Sequence, residues 1–214
     1  MNMQISKSFK SGIPIAGFNP KTAVAVLAAV SCFFFSGCAS FSDKMIRQQK
    51  VKLREENLNL LAGTYQLFPD LAYTKNGGAE MLRYTGKTER FHQYVGKNKM
   101  ESDPSANNTV TVKVFGNNRI SFVFRKDSTI VDSVTLSAKL QSRGLLLIGN
   151  KYVKYWGVPY LFGVTESAKT RIGLANDNGL ILNHAYDNSG AILIIMAAGR
   201  SSSLAYHFKR ISAE

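Results

Sequence analysis

From Gly63 onward, apolar and polar residues alternate with a period of two. Val110, Val112 and Val114 alternate with Thr109, Thr111 and Lys113. After Gly116-Asn117-Asn118, Ile120, Phe122 and Phe124 alternate with Arg119, Ser121 and Arg125. Beyond Lys126-Asp127, Val134, Leu136, Ala138 and Leu140 alternate with Ser133, Thr135, Ser137 and Lys139. Successive side chains of a strand point to opposite faces, so the pattern predicts half-buried strands. The intervening turns are too short for crossover helices, which makes the order an antiparallel meander. Further strands are expected over 64–68, 145–148, 152–155, 170–175, 180–186, 191–198 and 204–211. Asp177-Asn178-Gly179 and Asp187-Asn188-Ser189-Gly190 punctuate them as hairpin turns. A meander of this size disposes of its edges by closing. The expected fold class is therefore all-β: an antiparallel up-and-down β-barrel of about eight strands over 61–214.

Residues 43–61, DKMIRQQKVKLREENLNLL, lack Gly and Pro and repeat Ile46, Leu53 and Leu60 every seven positions. That spacing predicts one N-terminal amphipathic helix, either a spacer packed on the domain or a basic surface for anionic lipid headgroups. Residues 69–108 show neither period. They hold Gly77-Gly78, Gly86, Gly96 and a polar run at 101–108, and read as a long loop or lid with a short helix near 80–84. Ala191 to Ala198, AILIIMAA, is apolar at every position, so both of its faces need cover.

The N-terminus follows a different logic. Lys7, Lys10 and Lys21 precede a 14-residue apolar run, TAVAVLAAVSCFFF, and small residues follow it. This describes a secretory signal peptide, and the run falls short of the roughly 20 residues that span a bilayer. Phe35-Ser36-Gly37-Cys38 resembles the lipobox of bacterial lipoproteins, with Phe where that family usually has Leu. The resemblance implies cleavage before Cys38 and lipidation of its thiol. Residues 1–37 would be the signal peptide, 38–60 a lipid-anchored tether and helix, and 61–214 the barrel domain. Ser40, where an Asp would favour inner-membrane retention in that family, implies a lipid-anchored outer-membrane protein; Lys44, Arg47, Lys50, Lys52 and Arg54, where surface-exported members carry acids, imply that it faces the periplasm.

Composition sharpens this. The chain has 214 residues, 45% of them hydrophobic and 19% charged, enough for one buried core and too apolar for a disordered chain. Two Cys and three His leave no pattern for a zinc module or a disulfide framework. With Cys32 removed, Cys38 would be the mature chain's sole cysteine. The formal charge of +13 falls to +10 on removal of three signal-peptide lysines. In an envelope protein such a charge suits anionic lipid or acidic glycan, or a solvated outer face; no nucleic-acid partner is expected.

Gly63-Thr64-Tyr65, opening a strand directly after the expected helix, resembles the Gly-x-Trp start of lipocalins, with Tyr for Trp. The closing strand Tyr206-His207-Phe208-Lys209-Arg210 is similar to the lipocalin strand that lays a basic residue over that aromatic. The resemblance covers about 61–212 and implies an eight-stranded barrel in which Arg210 or Lys209 caps Tyr65. It also implies either a small apolar ligand or a filled interior.

Candidate chemistry is sparse. Tyr152, Tyr155, Trp156, Tyr160 and Phe162 crowd one segment interrupted by Gly157 and Pro159, as a ligand-contacting rim or as a plug closing the barrel. His92, His184 and His207 have no ligand spacing, so neither a metal site nor a cofactor is expected. Gly86-Lys87-Thr88 lacks the preceding glycine of a phosphate loop, no Gly-x-Ser-x-Gly occurs, and Glu80, Glu166 and Asp187 form no evident pair. The chain is not expected to be an enzyme. A barrel binding a small hydrophobic or amphipathic ligand predicts an open aromatic cavity. An interaction protein predicts a filled interior with an exposed apolar or basic patch.

Overall fold

The computed structural model describes residues 39–82, 89–96, 106–158, 162–192 and 196–213. Cys38, the signal segment 1–37 and Tyr160 lie outside the described residues, as do the side chains of Phe162 and of 191–198.

The described chain is mostly β. It comprises β1 (Lys50–Val51), a 3₁₀ helix (Glu55–Leu61), β2 (Gly63–Gln66), β3 (Leu71–Tyr73), β4 (Ala79–Met81) and the single-turn α1 (His92–Val95). Nine further strands follow: β5 (Asn108–Phe115), β6 (Arg119–Lys126), β7 (Thr129–Gln141), β8 (Leu145–Ile148), β9 (Tyr152–Val158), β10 (Phe162–Ala175), β11 (Leu180–Ile192), β12 (Met196–Phe208) and β13 (Arg210–Ala213). They form one curled antiparallel sheet in the order β13-β2-β5-β6-β7-β8-β10-β11-β12-β3-β4, with β1 and β9 also paired to β10. From β5 to β12 the order is the expected meander. The strands number thirteen among the described residues, not about eight, because short breaks divide them, as Lys209 does between β12 and β13.

The period-two pattern sorts the two faces. Val110, Val112, Ile120, Phe122, Phe124, Val134, Leu146, Ile172, Leu182 and Phe208 meet on one side in the main core. A second cluster lies on the opposite face, where Met45 and Ile46 cover Tyr73, Leu145, Ala175, Ile181 and Ala205.

This division explains the largest departure from the sequence pattern. The helix expected over 43–61 is absent; turns run over 44–49, then come β1 and the 3₁₀ helix. Ile46 packs in the second cluster and Leu53 in the main core, so the chain passes from one face of the sheet to the other between them. A straight helix lies against one face only. The third heptad residue, Leu60, is 46% exposed, while Leu58 and Leu61 are buried in its place.

Part of the stretch expected to be a lid is also packed, over 91–95, while 78–81 is exposed. Phe91, His92, Tyr94 and Val95 are buried, and the Phe91 N–H donates to the Leu67 carbonyl at 3.0 Å. Glu80 belongs to β4 rather than to a helix.

Candidate functional site

At the start of the sheet, Gly63 has φ +153°, and a Cβ there would lie 2.7 Å from the Ser212 carbonyl oxygen. Glycine therefore allows β13 to approach β2 backbone to backbone. Tyr65, fully buried, donates its hydroxyl hydrogen to the Leu61 carbonyl at 2.9 Å. The Arg210 guanidinium lies 5.0 Å from the centre of the Tyr65 ring and donates to the Tyr65 hydroxyl oxygen and the Leu60 carbonyl. Burial pushes the Tyr65 phenol up, against the lowering influence of Arg210. The cluster joins the 3₁₀ helix to the last strand; it is structural. Arg210→Ala is expected to lower stability by about 1–3 kcal/mol, read as an earlier urea midpoint, through loss of the ring contact and two charge-assisted hydrogen bonds. A midpoint within error of the parent would show that the contact contributes nothing.

On the outer face, the chain after position 38 lies strapped across β10–β12. The Ala39 N–H donates to Ser167 Oγ at 3.1 Å and the Ser42 N–H to Ser203 Oγ at 3.1 Å. Asp43 receives Arg171 at 2.5 Å and also pairs with Arg143. Arg171, nearly buried, donates to Asn183 Oδ1 at 2.8 Å and lies 4.2 Å over the Phe41 ring. Burial, then the nearby Arg143, lowers its pKa to about 10, so it stays cationic at neutral pH.

The aromatic segment divides. Tyr152, Tyr155 and Trp156 are 38%, 56% and 62% exposed on β9, which pairs among the described residues with β10 alone. The Tyr152 hydroxyl donates to Glu166 Oε1 at 2.9 Å; burial and this bond push its pKa up to about 12. Tyr152 also borders a pocket of about 260 Å³ with Tyr94, Asn150, Thr170 and His184. There Thr170 Oγ1 lies 3.0 Å from His184 Nδ1 and donates to the Tyr94 carbonyl at 3.3 Å. Burial lowers the His184 pKa, which keeps the ring neutral at pH 7. Its observed polar partner is a threonine hydroxyl. The arrangement suits hydrogen bonding; no carboxylate orients the ring for proton transfer among the described contacts.

The other two histidines are tied to acids. His92 Nε2 lies 2.7 Å from Asp132 Oδ2. His207 is held between Asp70, 2.6 Å from Nδ1, and Asp177, 3.0 Å from Nε2. These acids sit at opposite edges of the ring, so they share no common point for a metal, and no metal-like cluster occurs among the described residues. A Cβ at position 179 would fall 1.9 Å from His207 Nε2, so glycine is needed beside the ring. Sequence reasoning missed these pairs because each partner is distant in sequence, Asp132 in β7 and Asp70 and Asp177 outside the strands; the Asp177-Asn178-Gly179 hairpin was the one visible signal.

No family model, curated protein or solved structure matches the chain.

Proposed function

We propose that this chain is a lipid-anchored protein of the bacterial cell envelope with a filled, lipocalin-like barrel, and that it acts through its outer surface without catalysing a reaction. The observation that carries the reading is the aromatic packing of the main core. Phe91, Phe122, Phe124, Phe208 and Tyr65 are all fully buried, and their side chains occupy the face where a carrier would keep a ligand. Strand pairing supports an eight-stave barrel. β12 and β13 are separated by Lys209 alone and pair with β3 and β2, which makes two bent staves. Bonds from the Gln66 N–H to the Lys209 carbonyl at 2.9 Å and from the Asp70 N–H to the His207 carbonyl at 3.1 Å continue that pairing. β8 and β9 pair in turn along β10 and form a third composite stave. With β5, β6, β7, β10 and β11 the count is eight.

The FSGC sequence at 35–38 supports the anchor, Ser40 an outer-membrane position, and the basic residues from Lys44 to Arg54 an orientation facing the periplasm. The exposed aromatics of β9 and the basic charge favour an envelope component, anionic lipid or glycan, as the contact.

The pocket beside Tyr152 favours a second reading, a small amphipathic ligand at the mouth. Its roughly 260 Å³ lies below the volume of about 300–1,000 Å³ typical of ligand sites. Native mass spectrometry of gently extracted full-length protein separates the two. The polypeptide mass with its acyl groups alone is expected. A stoichiometric additional small molecule, lost on Thr170→Phe, would overturn the filled-barrel reading.

A further inference from the structure

The strap on the outer face leaves no slack behind residue 38. Ala39 is 2% exposed and hydrogen-bonded to Ser167, and Phe41 lies beneath both Lys169 and Arg171. Consecutive Cα atoms are about 3.8 Å apart, so an acyl group carried by residue 38 would be attached within one residue of the sheet surface. A flexible tether would let the domain tumble away from the bilayer. Here the face that holds Ala39 must lie where the acyl chains enter the membrane.

That face carries an exposed part of β9. Ser167 pairs with Val153 across the β9–β10 ladder, and side chains two apart share a face. Val153 and Tyr155 therefore project from the same side as Ser167, and each is 56% exposed. Trp156, 62% exposed, follows on the same strand but, like Lys154, projects from its opposite side. An uncovered apolar edge strand invites unwanted pairing, and proteins normally cover or charge such an edge. Lys151 precedes the strand, and Lys169, two residues from Ser167, lies on the strap side of β10. The carboxylate Glu166, on the other side, is engaged by Tyr152. A tyrosine and a valine beside a lysine match the headgroup layer of a bilayer containing anionic lipid.

We propose that β9 rests on the bilayer surface through its strap-side face, with Val153 and Tyr155 at headgroup depth and Lys169 over anionic lipid. This placement rests on the reading of Cys38 as the lipidated residue. Lipid, rather than a soluble partner, is the occupant because the strap holds this face at the anchor point.

Trp156 is the chain's single Trp, so Trp156→Phe combined with Tyr155→Trp moves the one Trp reporter to the strap-side face. The test uses full-length processed protein in phosphatidylethanolamine–phosphatidylglycerol vesicles that contain lipids brominated at defined depths. The Trp emission of this variant is expected to fall at least two-fold, most with the shallow bromine label, and less when phosphatidylglycerol is omitted. Adding Val153→Glu should abolish most of the quenching while lipid labelling and flotation persist. Phe115→Glu, at another exposed apolar position, should leave quenching unchanged, which controls for general loss of fold. Unquenched Trp emission in protein that carries the lipid label and floats with the vesicles would overturn the placement. So would a dimer in which this Trp is shielded without lipid, since a second copy would then cover the strand. Absence of lipid on Cys38 would overturn the anchor reading, and this placement with it; lipid labelling therefore distinguishes the two failures.

Discussion

Phe91→Ala is expected to lower the unfolding free energy by about 3–5 kcal/mol, the usual range for truncating a buried aromatic. The Phe91 ring is fully buried, 5.3 Å from Phe122, 5.2 Å edge-on from Phe208 and 6.5 Å from Phe124. It therefore bridges strands β6 and β12 from a segment with one helical turn of its own. A cavity left there has β-sheet walls, which relax little. For a domain of this size each kcal/mol shifts the melting midpoint by about 2–4 °C, so a drop of about 6–20 °C should appear in thermal melts followed by circular dichroism. Phe91→Leu should lose less than half as much. If Phe91→Ala melts within about 2 °C of the parent, the ring does not anchor the core, and the segment regains the status of a lid.

The second large effect is expected at His207. Burial alone would lower its pKa, but hydrogen bonds and charge from Asp70 and then Asp177 raise it above the ordinary 6.5. Asp177 is pulled down below 3.8: burial opposes ionisation there, but the Gly179 N–H and His207 outweigh it. A histidine with a raised folded pKa contributes stability fully below its unfolded value and loses it as pH rises through the folded value. A depressed aspartate contributes above its unfolded value and loses its share as pH falls through the folded one. The network is thus strongest between about pH 4 and 6.5 and weakens above that window. His207→Gln is expected to cost about 2–3 kcal/mol at pH 5.5, because the acids lose a cation but remain partly solvated. The cost should shrink toward pH 8.5. Urea unfolding across that range measures it; a penalty independent of pH would rule out a charged His207 as its source.

The alternation from Val110 to Leu140 and the hairpin turns made the meander and its sheet order legible, because each side chain's face follows from its neighbours in sequence. The Gly63-Thr64-Tyr65 and Arg210 elements were also legible as short motifs. The helix over 43–61 was misleading for a definite reason. Ile46 and Leu53 have heptad spacing, but they serve opposite faces of the sheet, and spacing alone carries no record of which surface a residue meets.

The Phe91 cluster was hidden for a related reason. FHQYV is too short to show a period, and its burial depends on Phe122 and Phe208, which lie 31 and 117 positions away. Likewise Asp43 belongs with Arg171, and Asp70 with His207, only once the sheet has curled.

By itself, then, the sequence determined the β character, the antiparallel order and the faces of the central strands. These are consequences of local stereochemistry. Tertiary structure alone decided that the chain after residue 38 is strapped to the outer face, that the inner face is packed with aromatic rings, and that β9 pairs, among the described residues, with β10 alone. Those outcomes depend on which distant surfaces compete for burial and charge, and that competition is settled only when the sheet assembles.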